Sequence, residues 1–167
     1  MDTGTTQSAG QQAPESQVVP NKAPSLSSKN TSFPKSLGWV SDLDGILAAD
    51  EIQKLSDKIE DFEQRTSYEI ALFTGKSTNA QKTYHLWLSD LANDWGVGKK
   101  EKDNGVLVGI DLLNKEIGIA TGLGIEEILT DQECKNIIDE VMVTSLKEND
   151  VYSAFDKALD KIMEELN

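Results

Sequence analysis

The chain has 167 residues, 38% of them hydrophobic, enough for one domain with a real core rather than two. Its formal net charge is −13, and the first 35 residues set only Asp2 and Glu15 against Lys22, Lys29 and Lys35, so residues 36 to 167 carry −14. Such acidity disfavours nucleic acid and anionic membrane as partners and leaves room for cations.

Residues 1 to 36 hold all four prolines and are rich in Ser, Thr, Gln and Asn. With so little apolar content they do not offset their own ordering entropy, so the sequence predicts a disordered polar tether over 1–36 and a folded domain over 37–167. From Asp50, apolar Ile52, Leu55, Ile59 and Phe62 recur at spacings of three and four. This predicts a helix over 50–66, with Asp50 and Gln53 as N-cap and N3 partner. "YEIALFT", 68 to 74, reads as a strand. A second helix is expected over 79–95, with Tyr84, Leu88, Leu91 and Trp95 as its stripe and Gly96 as its stop.

"VLVGID", 106 to 111, and "EIGIAT", 116 to 121, flank the short turn "LLNK" and predict an antiparallel hairpin. Thr130 and Glu133 form a capping-box pattern opening a helix with Ile137, Ile138, Val141 and Met142 on one side. A last helix is expected from about Asp150, carrying Val151, Phe155, Leu159, Ile162 and Leu166. The order α-β-α-β-β-α-α with nearly continuous apolar strands implies an α/β fold, a three-layer α/β/α sandwich. The single Cys134 excludes an internal disulfide, and on the apolar face of "DQECKNIIDEV" it reads as a small core residue. No run is apolar enough to span a membrane, and no signal peptide is visible at the start.

Three stretches can carry chemistry. In "WVSDLDGIL", 39 to 47, Asp42 and Asp44 precede Gly45, but an EF-hand register would put Val40 at the first ligand position and has no entering helix. These carboxylates either ligate a metal in another geometry or bond backbone amides in a tight turn. In "KDNG", 102 to 105, Asn104 and Gly105 suit a turn that launches the strand, while Asp103 stands at a sheet end, where α/β folds often place ligands. In "GLGIEEIL", 122 to 129, two glycines let the backbone approach a ligand or another loop, with Glu126 either a metal ligand or merely solvated. Asp131 falls in the first turn of the next helix, where a carboxylate favours the dipole. The glycine spacing is not that of a dinucleotide site.

His85 is the only histidine, which excludes a His-rich zinc site, and mid-helix it reads as a structural or surface residue. No P-loop, nucleophile elbow or Cys-x-x-Cys is present. What remains is carboxylate and carbonyl oxygen, the donor set of Ca²⁺ and Mg²⁺. If the sheet order brings the loops at 42, 103 and 126 to one end, their carboxylates repel one another unless a cation sits between them.

An ordered set of motifs from about residue 38 to 166 resembles the TPM domain family: Asp42 with Gly45 and Leu47, Thr66, Trp95-Gly96-x-Gly98, Asp103-Asn104-Gly105, Gly122-x-Gly124-x-Glu126, and Leu129 with Asp131. The resemblance implies an α/β/α sandwich with a small mixed sheet, an extracytoplasmic setting in the periplasm or cell envelope, and a divalent-metal site of acidic loop residues. By that resemblance Asp42, Asp103 and Glu126 are the metal-ligand candidates, with Asn104 and Asp131 behind them; no catalytic residue is assigned. Relatives include phosphatases as well as accessory proteins of membrane-protein maintenance. The first expectation is therefore an exported Ca²⁺-binding module, Mg²⁺ being the alternative ion, acting with a membrane-protein or envelope partner. The alternative is a metal-dependent acid phosphatase, which the single arginine, Arg65, and the acidic charge count against. Unlike many relatives, this sequence shows no transmembrane segment after the domain.

Overall fold

The computed structural model describes residues 33–167, so the tether expected over 1–36 lies almost wholly outside the described residues. Four strands and five helices follow in the order β1 (Val40–Asp42), α1 (Ala49–Thr66), β2 (Glu69–Thr74), α2 (Tyr84–Trp95), β3 (Gly105–Asp111), β4 (Glu116–Thr121), α3 (Asp131–Ile137), α4 (Val143–Lys147) and α5 (Val151–Leu166). They build a three-layer α/β/α sandwich around one mixed sheet ordered β1-β2-β3-β4. β1, β2 and β3 run parallel, and β4 pairs antiparallel with β3, forming the expected hairpin.

The larger core lies between the sheet and α1, α3 and α5. Leu55, Ile59 and Phe62 of α1 and Phe155, Leu159 and Ile162 of α5 are fully buried there against Ile70, Leu72, Val106, Val108 and Ile110. Each such side chain contributes roughly 1.5–3 kcal/mol by leaving water. The opposite face is covered by α2, whose Tyr84, Trp87, Leu88 and Leu91 pack on Ala71, Phe73, Leu107 and Ala120. Gly109 and Gly118, paired across β3 and β4, make that approach possible, since a Cβ on either would fall 2.6–2.7 Å from the Leu88 methyls. Phe33 joins this layer, its ring 5.8 Å from that of Trp87, and the Trp95 indole donates to the Pro34 carbonyl at 2.8 Å.

β1 is a strand that the sequence pattern does not predict, and three further details differ from that pattern. α1 begins one residue earlier than predicted, and Glu51 rather than Gln53 accepts the N-terminal amide, from Ala48 at 2.9 Å. α2 starts at Tyr84 instead of 79, because Asn79 and Lys82 close a turn and Thr83 caps the helix through Leu86 N–H. The helix expected after Thr130 is split by a π turn, Ile138–Met142, in which Val143 N–H reaches back to the Ile138 carbonyl. Buried Ile137 and Met142 are accordingly five residues apart, a spacing an unbroken α-helix does not bury on one face.

Candidate functional site

The parallel arrangement gives the sheet two chemically different ends. Asp42, Thr74 and Asp111 are the last residues of β1, β2 and β3, and Glu116 is the first of antiparallel β4, so all four mark one end. Glu69, Gly105 and Thr121 mark the other, with Asp103 and Asn104 just before β3 and Gly122 to Glu126 just after β4. The convergence of Asp42, Asp103 and Glu126 that a shared cation would need is therefore not formed: Asp42 stands at one end of the sheet, Asp103, Asn104 and Glu126 at the other.

At the first end Asp42 organises the β1–α1 turn. One carboxylate oxygen accepts the Thr74 hydroxyl at 2.6 Å and Ile46 N–H at 3.1 Å; the other accepts Leu47 N–H at 2.8 Å. Gly45, at φ +65°, completes the turn by donating to the Asp42 carbonyl, and the same Thr74 hydroxyl accepts Asp44 N–H. The motif thus ties its own backbone down, the turn chemistry weighed for it as the alternative to ligation.

Asp44 next to it has a different character. Its carboxyl is raised above the usual carboxylate range by partial burial, then by the charges of Asp111 and Asp42. Asp111 is buried, its two oxygens accepting the backbone and side-chain N–H groups of Asn114 at 3.1 and 2.7 Å. Tyr84 adds a neutral wall, donating its hydroxyl to the Gly75 carbonyl at 2.7 Å. Burial, then the charges of Asp111, Asp44 and Glu116, push that phenol well above its ordinary value. No lysine or arginine among the described residues pairs with Asp42, Asp44, Asp111 or Glu116. Thr74, Tyr84 and Asp111 escaped the sequence reading because they sit inside a strand or a helix stripe; only the sheet order shows them to be neighbours.

At the second end the glycines serve loop against loop. Gly124 N–H donates to the Asp103 carbonyl and Gly122 N–H to the Gly105 carbonyl, both at 2.9 Å. A Cβ on Gly124 would lie 1.7 Å from the Lys102 carbonyl oxygen, and one on Gly122 2.2 Å from that of Asp103. Asp103 itself takes φ +47°. Asn104 is buried with its amide committed, Oδ1 accepting Lys99 N–H at 2.7 Å and Nδ2 donating to the Ser67 carbonyl at 3.0 Å. The side chains of Asp103, Glu126 and Asp131 are exposed, the last in the first turn of α3, capped by Thr130 through Glu133 N–H. The Lys99 ammonium bridges Glu63 at 2.9 Å and Glu69 at 2.6 Å. His85 is exposed on α2, and Cys134 is a buried free thiol. Among the described residues no three His, Cys, Asp or Glu side chains approach closely enough to hold one ion as they stand. None of the described helices is long and apolar enough to cross a membrane.

Fold and loop architecture together define an α/β/α domain with an acidic carboxyl edge and a glycine-locked opposite edge. The TPM domain family model matches residues 40–165, and the chain belongs to that family. Among solved structures it is similar to the N-terminal domain of a protein from P. gingivalis, with 22% identity, TM-score 0.69, and 77% of this chain and 81% of that one covered. The BA42 protein of the psychrophilic bacterium Bizionia argentinensis is also similar, at 20% identity and TM-score 0.62 over 74% of this chain and 83% of that one. So is the N-terminal domain of cg2496 from Corynebacterium glutamicum, at 14% identity and TM-score 0.61 over 90% and 88%. These likenesses show a shared fold. No curated protein matches the chain.

Proposed function

We propose that this TPM domain binds a divalent cation, Ca²⁺ or alternatively Mg²⁺, at the carboxyl end of its sheet, and that it serves as an extracytoplasmic accessory module for a membrane-protein or envelope partner rather than as a catalyst. The observation that carries the reading is the grouping of Asp42, Asp44 and Asp111 at one sheet end: Asp44 is raised by partial burial and by the charges of Asp111 and Asp42, and no basic side chain among the described residues pairs with any of the three. A hard cation with oxygen ligands relieves that repulsion. The donor chemistry fits, and Asp44 would be the leading ligand, because among the described residues its carboxylate accepts no hydrogen bond, whereas the oxygens of Asp42 serve Thr74 and two backbone amides and those of Asp111 serve Asn114. The carboxylates do not form a closed cage, so water would complete the coordination and affinity belongs in the weak range, with Kd on the order of 10⁻⁴ to 10⁻³ M. The extracytoplasmic setting and the partner rest on the family alone.

The phosphatase reading draws on the same carboxylates but gains no support of its own. Lys99, weighed for phosphate recognition, lies at the opposite end and is paired with Glu63 and Glu69. An amide NMR titration with Ca²⁺ and then Mg²⁺ tests the proposal. Saturable shifts at residues 42–47, 74–75 and 111–116, weakened at least roughly tenfold in Asp44→Asn and retained in Asp103→Asn, support it. Shifts confined to 103–105 and 122–131 would move the ion to the other end, and the absence of saturable shifts with either ion would sink the cation reading.

A further inference from the structure

At the same end of the sheet as the acidic edge, but on the face covered by α3–α5, a cleft of about 400 Å³ opens between the β3–β4 turn and α4. That size lies within the range of small-molecule sites, roughly 300–1,000 Å³. Its walls are Ile110, Leu112, Ile117, Val143 and Leu146. Leu112, Ile117 and Leu146 are only partly buried, so the cleft leaves apolar surface in contact with water. Asp111 and Glu116 contribute to the wall, but strand alternation turns their carboxylates to the other face of the sheet, where their charges act on Tyr84. The charges left on the cleft side are those of Lys115 and Lys147, neither of which makes an ion pair among the described residues. On a domain this acidic, two unpaired ammonium groups at the rim of one apolar cleft are a local reversal of sign.

The wall is also built by irregular backbone. Val143 follows directly on the π turn Ile138–Met142, which rotates α4 relative to α3 and sets Val143 and Leu146 toward the hairpin. Lys115 and Asn149, at φ +58° and +59°, are left-handed residues on the two sides of the opening. π turns and left-handed residues outside glycine are enriched where a fold supports binding.

We infer that this cleft binds a small organic carboxylate with an apolar body, its chain against Ile117, Val143 and Leu146 and its carboxylate toward Lys115 and Lys147. The inference does not rest on the cation proposal: both lie at the same end of the sheet, but the apolar wall of the cleft, Ile110 and Ile117, is on the face opposite the carboxylates of Asp111 and Glu116. Charge decides the class of ligand: an apolar amine would meet the two ammonium groups, and a neutral apolar molecule would leave them unused.

The test is an NMR titration of the full chain with sodium octanoate, 1-octanol and octylamine in parallel. Octanoate is expected to give saturable shifts at Ile110, Ile117, Val143 and Leu146 with Kd on the order of millimolar. Octanol should bind roughly three- to tenfold more weakly and octylamine more weakly still. The double variant Lys115→Asn with Lys147→Gln, both surface changes that preserve the fold, should bring octanoate to the level of octanol and leave octanol unchanged. Equal binding of octanoate and octanol to the unmodified chain overturns the charge argument. Shifts outside the cleft, or none at all, overturn the site. Binding of a peptide with an apolar C-terminal residue in the absence of octanoate binding would overturn the small-molecule assignment and make the cleft a protein contact.

Discussion

Replacing Gly124 by alanine tests the account of the glycine-locked edge. The added methyl would sit 1.7 Å from the Lys102 carbonyl oxygen and 3.0 Å from that of Asp103, both backbone atoms that cannot swing aside as a side chain can. Either the 122–126 loop withdraws by more than 1 Å, or the turn before β3 does; in both cases the Gly124 N–H bond to Asp103 is lost. A lost backbone hydrogen bond costs about 1 kcal/mol. Overpacking against fixed atoms adds roughly 1–3 kcal/mol. The variant should therefore be about 2–4 kcal/mol less stable, read as a lower urea midpoint at unchanged slope. Leu123→Ala, at the neighbouring position where the side chain is 76% exposed, is the control and should stay within about 0.5 kcal/mol. If Gly124→Ala matches that control, the glycines are not there for loop packing and the assignment of this edge is wrong.

Asn104→Ala should lose about 2–3 kcal/mol by urea unfolding, because it orphans Lys99 N–H and the Ser67 carbonyl beside a buried strand entry. Asp44→Asn should act oppositely and with pH. The folded-state carboxyl is raised, so the folded protein holds that proton more tightly than the unfolded chain, and stability falls as pH rises through and above the ordinary carboxylate range. The variant is thus expected to unfold at higher urea than wild type at pH 7 and at the same urea at pH 3; a gain that persists at pH 3 contradicts the charge explanation. Cys134, buried and with its thiol pushed up to about 12 by burial and then by Asp131 and Glu133, should resist alkylation at pH 8 at a rate that follows global unfolding. Fast modification of the native protein by iodoacetamide would show that α3 opens locally.

The helices that lean on the core were readable because burial wrote itself into spacing. Val151, Phe155, Leu159, Ile162 and Leu166 are all buried on α5, and Leu55, Ile59 and Phe62 on α1. β1 was not readable: three residues are too few to show alternation, and its sequence also spells an acidic turn. That omission decided the expected site. Once Val40–Asp42 is a strand, helices α1 and α2 each become the crossover between parallel neighbours. Asp42, Thr74 and Asp111 must then end together, and Asp103 must start at the far side. Carboxylates spaced along a chain do not reveal which sheet end they occupy; strand direction does. Asn104 was read as a turn residue, but its burial and its bonds to Lys99 and Ser67 depend on where α1 ends, information that no local pattern holds.

The contacts of Phe33 and Pro34 also set how the domain bears a load. A pull applied at the start of the described chain does not arrive first at the pairing of β1 with β2. It is taken by the Phe33 ring on Trp87 and by the Trp95 indole on the Pro34 carbonyl, both on the face covered by α2. The small aromatic layer therefore acts as a strain relief, and the larger core behind the sheet, with α1 and α5, feels tension only after that layer has let go.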